Sequence, residues 1–257
     1  MKLLLATFSI ILLVFSCNFE AKKMNSAKVL KTQTDTIKTI KKPNISITKQ
    51  IVLGKFDYKT NSTFIKVNSE YSAKTLYLNK EVYSAFLKMH KAAATDGIDL
   101  NILSGTRNFK EQKAIWERKW YTYSNLEPLE RAKKILEFSS MPSTSRHHWG
   151  TDMDLNSLSN SYFSTGKGLK EYQWLTKNAN DFGFYQVYTE KNSLRTGYNL
   201  EKWHWSYLPL ASQYLEFYNN RIVNDDINNF MGQEEASKLR VINDYVNGIS
   251  QKAKDYK

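Results

Sequence analysis

Between Ser145 and Asp154 the chain reads Ser145-Arg146-His147-His148-Trp149-Gly150-Thr151-Asp152-Met153-Asp154, and Glu201-Lys202-Trp203-His204 follows about fifty residues later. Catalytic zinc is usually held by three nitrogen or oxygen donors, with a fourth position left to water. His147, Asp154 and His204 supply two imidazoles and one carboxylate of that kind. Glu201 is then a spare carboxylate, available to carry a proton. This division of labour specifies metal-assisted hydrolysis rather than metal storage. Two alternatives stand within the same cluster. His148 is a rival of His147, and Asp152 is either a rival of Asp154 or a hydrogen-bond partner of a ligating imidazole.

The spacing makes demands on the backbone. His147 and Asp154 are seven positions apart, so on one straight strand they would face opposite sides; a turn or bulge is required, and Gly150 permits one. Glu201 and His204 also differ in parity. Glu201 is therefore expected on the loop before a strand, where a base could reach the same point as the ligands.

The elements that must position these residues are legible in outline. Asn79 is placed to cap a helix whose apolar positions Val82, Ala85, Phe86, Met89 and Ala93 follow helical spacing up to Asp96-Gly97. Ile98 to Ser104 alternates like a short strand. Asn108 caps a second expected helix through Trp116 and Trp120, and Pro128 opens a third that runs to Phe138. Loop and strand are expected from Met141 to Asn156, a helix from Lys170 to Phe182, and strands over Phe184–Tyr188 and Trp203–Tyr207. Near the end, Ile242, Tyr245, Val246 and Ile249 form one face of a helix. Helices preceding and separating antiparallel strands indicate an α+β fold: a small antiparallel sheet carrying the zinc site, flanked by helices, with a C-terminal helical extension.

The motifs carry a resemblance. Ser145-x-His147-x-x-Gly150-x-x-x-Asp154 followed by Glu201-x-Trp203-His204 resembles the signature of the VanY-type D-alanyl-D-alanine carboxypeptidases and their dipeptidase relatives. Ser104-Gly105-Thr106-Arg107 with Gln112 is similar to an upstream segment of that family, and the likeness spans roughly Leu78 to Tyr207. It implies zinc on His147, Asp154 and His204, with Glu201 as catalytic base. It also implies Arg107, Gln112 and Ser145 as substrate-binding residues, Ser145 near the terminal carboxylate of a peptidoglycan stem peptide. An ordinary ion pair of Arg107 with Asp99 or Glu111 is the competing reading. Asp152, Lys202 and Ser206 depart from the family's commoner small residue, Pro and Arg. These departures leave the ligands intact and bear on which substrate ends are recognised, so carboxypeptidase, dipeptidase and endopeptidase activities all belong to the expectation.

The rest of the chain sets the context. Residues 1–17 combine Lys2, an apolar run through Val14 and Cys17, the sole cysteine, and read as a signal peptide with a lipobox-like end. Acylation of Cys17 would tether the mature chain to an envelope membrane. Residues 18–50 are polar and suit a flexible spacer, residues 51–220 the zinc peptidase domain, and residues 221–257 the C-terminal extension packed on it. Six Trp and sixteen Tyr supply a substantial core. The net charge of +12 is accompanied by no nucleic-acid-binding motif, so no nucleic acid partner is expected; attraction to an anionic envelope surface fits the export signal. A wall-binding lipoprotein without turnover is the second functional class. Retention of Glu201 beside three ligands favours the enzyme.

Overall fold

The computed structural model describes residues 46–192 and 195–256. The signal segment, Cys17 and most of the expected spacer lie outside the described residues. Within the last residues of that 18–50 segment, Thr48 Oγ1 accepts from the Ile51 N–H at 3.3 Å and starts α1 (Lys49–Val52). Val52 is fully buried, and its carbonyl accepts from the Trp149 indole at 3.2 Å.

Strands β1 (Phe64–Lys66) and β2 (Tyr77–Asn79) form an antiparallel pair not anticipated from the sequence. Asn79 then caps α2 (Lys80–Thr95) by accepting from the Glu81 N–H at 2.9 Å. The apolar face expected of this helix is the buried one, and Gly97 follows it at φ 72°. Strand β3 is confined to Ile102–Ser104, shorter than the expected 98–104. The reason lies across the sheet. Asn156, at φ 61°, turns the neighbouring strand away, and its side chain occupies the Asn101 N–H and the Asp99 carbonyl, where ladder bonds would otherwise form.

Helix α3 (Phe109–Thr122) opens on a reciprocal capping box between Asn108 and Glu111. α4 (Pro128–Ile135) has Pro128 in its first turn and stops short of Phe138. Arg146–Trp149 form a single 3-10 turn closed by Gly150 at φ 69°, which delivers the chain into β4 (Asp152–Leu155). Helix α5 (Gly166–Asn178) begins earlier than expected and continues as a 3-10 turn to Phe182. Strands β5 (Phe184–Gln186) and β6 (His204–Tyr207) complete an antiparallel sheet of order β3-β4-β6-β5. α6 (Leu208–Arg221) adds a helix to the expected set, burying Leu208, Leu210, Ala211, Tyr214 and Tyr218.

Residues 221–257 do not build one long amphipathic helix. They fold as short turns: α7 (Glu235–Lys238), a five-residue π turn at Ile242–Val246, and α8 (Gln251–Lys254). Gly248 shows why the apolar spacing at 242–249 does not propagate. A Cβ there would lie 2.2 Å from the Asp244 carbonyl oxygen, and the Gly248 carbonyl is taken by Arg195 Nη1 at 3.2 Å. Phe230, Ala236, Val241, Ile249 and Ala253 are buried in a cluster with Trp116, Trp120 and Tyr198, so the extension supplies core to the same compact unit.

The sheet sorts its side chains by parity. Met153 and Trp205 pair in register and enter the cluster with α2 and α6. Asp152 pairs with Ser206 and Asp154 with His204, so these four polar side chains share the opposite face, and all four are buried.

Candidate metal and active site

Gly150 is what lets His147 join that face. At φ 69° it reverses the 3-10 turn, with its own nitrogen bonded to the His147 carbonyl, and a Cβ on it would lie 2.4 Å from Phe64. The His147 ring then stands edge-on to His204, centroids 5.0 Å apart. His147 Nε2 is 3.5 Å from Asp154 Oδ2, and His204 Nδ1 is 3.1 Å from Asp154 Oδ1. One donor atom from each of His147, Asp154 and His204 lies within 4.8 Å of the others.

The remaining ring nitrogens are already engaged. His147 Nδ1 donates to the Gly105 carbonyl at 2.8 Å, and His204 Nε2 donates to Asp152 Oδ2 at 2.9 Å. With one nitrogen of each ring so engaged, the other faces Asp154, and it becomes a lone-pair donor once it carries no proton. Two imidazoles and one carboxylate, each turned inward, suit a divalent ion such as zinc.

The two alternative donors, His148 and Asp152, are engaged elsewhere. His148 donates Nδ1–H to the Arg107 carbonyl at 2.7 Å and accepts the Ser143 N–H at Nε2, so neither nitrogen is free for a metal. Burial pushes its pKa down to about 3, which keeps the ring neutral. Asp152 meets His204 from behind. Its other partners are Arg146 Nε at 2.9 Å, Thr151 Oγ1 at 2.6 Å and Ser206 Oγ at 2.8 Å. Arg146 also donates to Ser206 Oγ and lies over the Trp149 ring. The departures at 152 and 206 are thus one structural unit with Arg146.

Glu201 sits on the loop before β6, with Oε2 3.6 Å from His204 Nδ1. Burial raises its pKa to about 8, against the pull of His204. Burial alone would lower the pKa of His204, but its bonds to Asp152 and Asp154 outweigh this and raise it to about 9. Asp154 shows the reverse balance: burial opposes its charge, yet His147 and His204 hold its pKa well below the usual carboxylate range.

Arg107 does not pair with Asp99 or Glu111. Asp99 binds Lys167, and Glu111 is spent on the cap of α3 and the Tyr58 hydroxyl. The Arg107 guanidinium donates to Ser104 Oγ and, at 3.0 Å, to Gln112 Oε1, and it approaches Asp154 at 4.0 Å. Gln112 is anchored in turn on the Ser140 carbonyl at 2.8 Å. Ser145 Oγ is buried with no hydrogen-bond partner among the described residues, an orphan of the kind that a ligand group satisfies.

These residues line one cavity of about 670 Å³, with Arg107, Ser145, Glu201 and the three clustered donors on its wall. Sequence reasoning assigned no role to Tyr188, whose ring lies 4.6 Å from His204 and lines the same cavity. Arg118 and Lys119 of α3 line it as well. Helical periodicity marks them only as solvent-side positions.

Residues 75–210 match the model of the family described as VanY, D-alanyl-D-alanine carboxypeptidase. The chain belongs to the VanY family. Among its relatives, YodJ of Bacillus subtilis (strain 168) is 31% identical over 138 residues, which cover 51% of this chain and 46% of that protein. A D-alanyl-D-alanine carboxypeptidase of Enterococcus faecium is 26% identical over 136 residues, covering 52% of this chain and 39% of that protein. The chain therefore matches less than half the length of either curated relative. Among solved structures, the LD-carboxypeptidase LdcB superposes with a TM-score of 0.50 at 24% identity, covering 72% of this chain and 80% of that one. This places the VanY-family chain in the same α+β fold. The matched segment contains β2 through β6 and every one of the predicted site residues.

Proposed function

We propose that this VanY-family protein is a zinc-dependent peptidase that removes the terminal D-alanine from peptidoglycan stem peptides. The observation that carries the reading is the buried carboxyl of Glu201. It stands 3.6 Å from His204 in a cavity where two imidazoles and a carboxylate already converge. A module that only binds wall polymer has no use for an uncoordinated acid at that point.

Zinc on His147, Asp154 and His204, when bound, would supply Lewis acidity and bring the pKa of water toward about 7. A relative from the VanB-type resistance cassette was crystallised with Zn(II), in keeping with this donor set. Glu201 removes a proton from the attacking water and returns it to the departing amine nitrogen. Its low-dielectric surroundings bring its proton affinity close to that required at neutral pH. Arg107, held by Ser104 and Gln112, binds the terminal carboxylate, and Ser145 Oγ donates a hydrogen bond to it. Asp152 fixes the tautomer and orientation of His204.

The test is incubation of the zinc-loaded protein, with and without chelator, with muropeptides of defined stem length, followed by mass analysis. Chelator-sensitive loss of a single alanine supports the carboxypeptidase. Release of a dipeptide or an internal cut assigns the dipeptidase or endopeptidase activity, and binding without any cut assigns the wall-binding lipoprotein.

The same reading places the protein outside the cytoplasm. Residues 1–17 support export, and Cys17 supports lipid attachment to an envelope membrane. Among the described residues no helix is long and apolar enough to cross a membrane. Cys17→Ser is expected to move the protein from the membrane to the soluble fraction; unchanged fractionation removes the anchor.

A further inference from the structure

The charges around the cavity do not balance. In the zinc form just proposed, Asp154 and Glu201 face the two charges of the metal, Asp152 matches Arg146, and the terminal carboxylate matches Arg107. Lys119 and Arg118 remain, both on the cavity wall. Lys119 is half-buried and its Nζ donates to Ser139 Oγ at 2.8 Å, a neutral partner that fixes the ammonium without neutralising it. Among the described residues no carboxylate pairs with it, and the Arg118 guanidinium has no hydrogen bond or ion pair. Burial lowers the pKa of Lys119, and the through-space attraction of Glu201 does not offset this. A partly desolvated cation without a paired carboxylate is stabilised when an anion arrives with the ligand.

We propose that Lys119, supported by Arg118, forms a subsite for a second substrate carboxylate, so that the protein selects peptides carrying an acidic side chain or free α-carboxyl in addition to the terminal one. The inference rests on the peptidase reading and names its substrate class: acidic peptides. Ser139 presets the ammonium position, which limits the side-chain entropy lost when the anion binds. Arg107 is held apart by Gln112 and Ser104, so the two carboxylates have separate partners.

The experiment uses two peptides with identical D-alanine ends that differ in one internal carboxyl, free in the first and amidated in the second. On wild-type protein the free acid is expected to show a KM about tenfold lower, which corresponds to about 1.4 kcal/mol. Lys119→Met is expected to bring the two KM values together, and Lys119→Arg to restore the preference. Arg118→Ala, on the exposed side of α3, is expected to weaken the preference in part. A parallel titration with the same pair carrying a ketomethylene in place of the scissile amide reads the preference without turnover. Equal KM values and equal affinities for the pair on wild-type protein overturn the subsite, as does a preference that survives Lys119→Met. Failure to cleave either peptide, with the ketomethylene preference intact, overturns the peptidase reading and leaves the subsite standing.

Discussion

Asp152 receives the Nε2–H of His204 at 2.9 Å, on the side of the ring away from Asp154. The imidazole is thus held between two carboxylates, one behind it and one beside the point where a metal would sit. Asp152→Asn is expected to keep the shape but weaken orientation and basicity, lowering zinc affinity by about 10–100-fold in chelator competition. Asp152→Ala leaves Arg146 buried without a counter-ion and is expected to lose about 3–5 kcal/mol in urea unfolding. A native-like midpoint for the alanine variant would remove the network from the account.

Glu201 touches the reacting centre but not the metal in this reading. Glu201→Ala is expected to retain zinc, measured by metal analysis after gel filtration. Turnover of a stem peptide should fall by about 10²–10⁴. Substantial residual hydrolysis points to a different base.

In the proposed reading Arg107 binds the substrate, and Gln112, which lines the same cavity, holds the guanidinium in place. Arg107→Ala is expected to raise KM, at a cost of about 1.5–3 kcal/mol in substrate binding, while the metal stays in place. Gln112→Ala, which frees the guanidinium and leaves the Ser140 carbonyl without its donor, is expected to cost about 1–2 kcal/mol. Steady-state kinetics on both variants check the order; a larger effect at Gln112 would reverse the assignment.

The metal-free protein has a defined pH dependence. Glu201 is raised from 4.5 to about 8 and His204 from 6.5 to about 9. Both bind protons more tightly folded than unfolded, so between about pH 6.5 and 9 stability falls as pH rises. Below pH 6.5, His147 and His148, whose pKa values burial depresses, act in the opposite sense, since they must lose protons to fold. Thermal melts in chelator should therefore show a maximum near pH 6.5. Added zinc should stabilise most on the alkaline side, because His204 must be deprotonated to bind it. A melting temperature that rises from pH 7 to 9 without metal would contradict these proton affinities.

Gly150 connects the two halves of the first motif. Gly150→Ala meets both a positive φ and the Phe64 ring, and is expected to lose about 1–3 kcal/mol and to weaken metal binding. Circular dichroism melts and the same chelator competition provide the measure. An unchanged metal affinity would show that His147 reaches the site without that turn.

The sequence by itself determined the donor types, their order, and the local stops and starts that present them. Asn79, Asn108 and Gly150 act through atoms a few residues away, so short-range rules located α2, α3 and the turn before β4. The partners that separate Asp152 from Asp154, and His147 from His148, appear only in the tertiary structure. That separation depends on contacts some forty to sixty residues distant: the Gly105 and Arg107 carbonyls, and the register of β4 against β6. The same holds for Arg146, which fills space beside Ser206 and neutralises Asp152. The C-terminal stretch shows the limit from the other side. Its apolar spacing fits a helix, but crowding at Gly248 and the tie to Arg195 limit that stretch to a π turn, because backbone packing between distant segments outweighs periodicity.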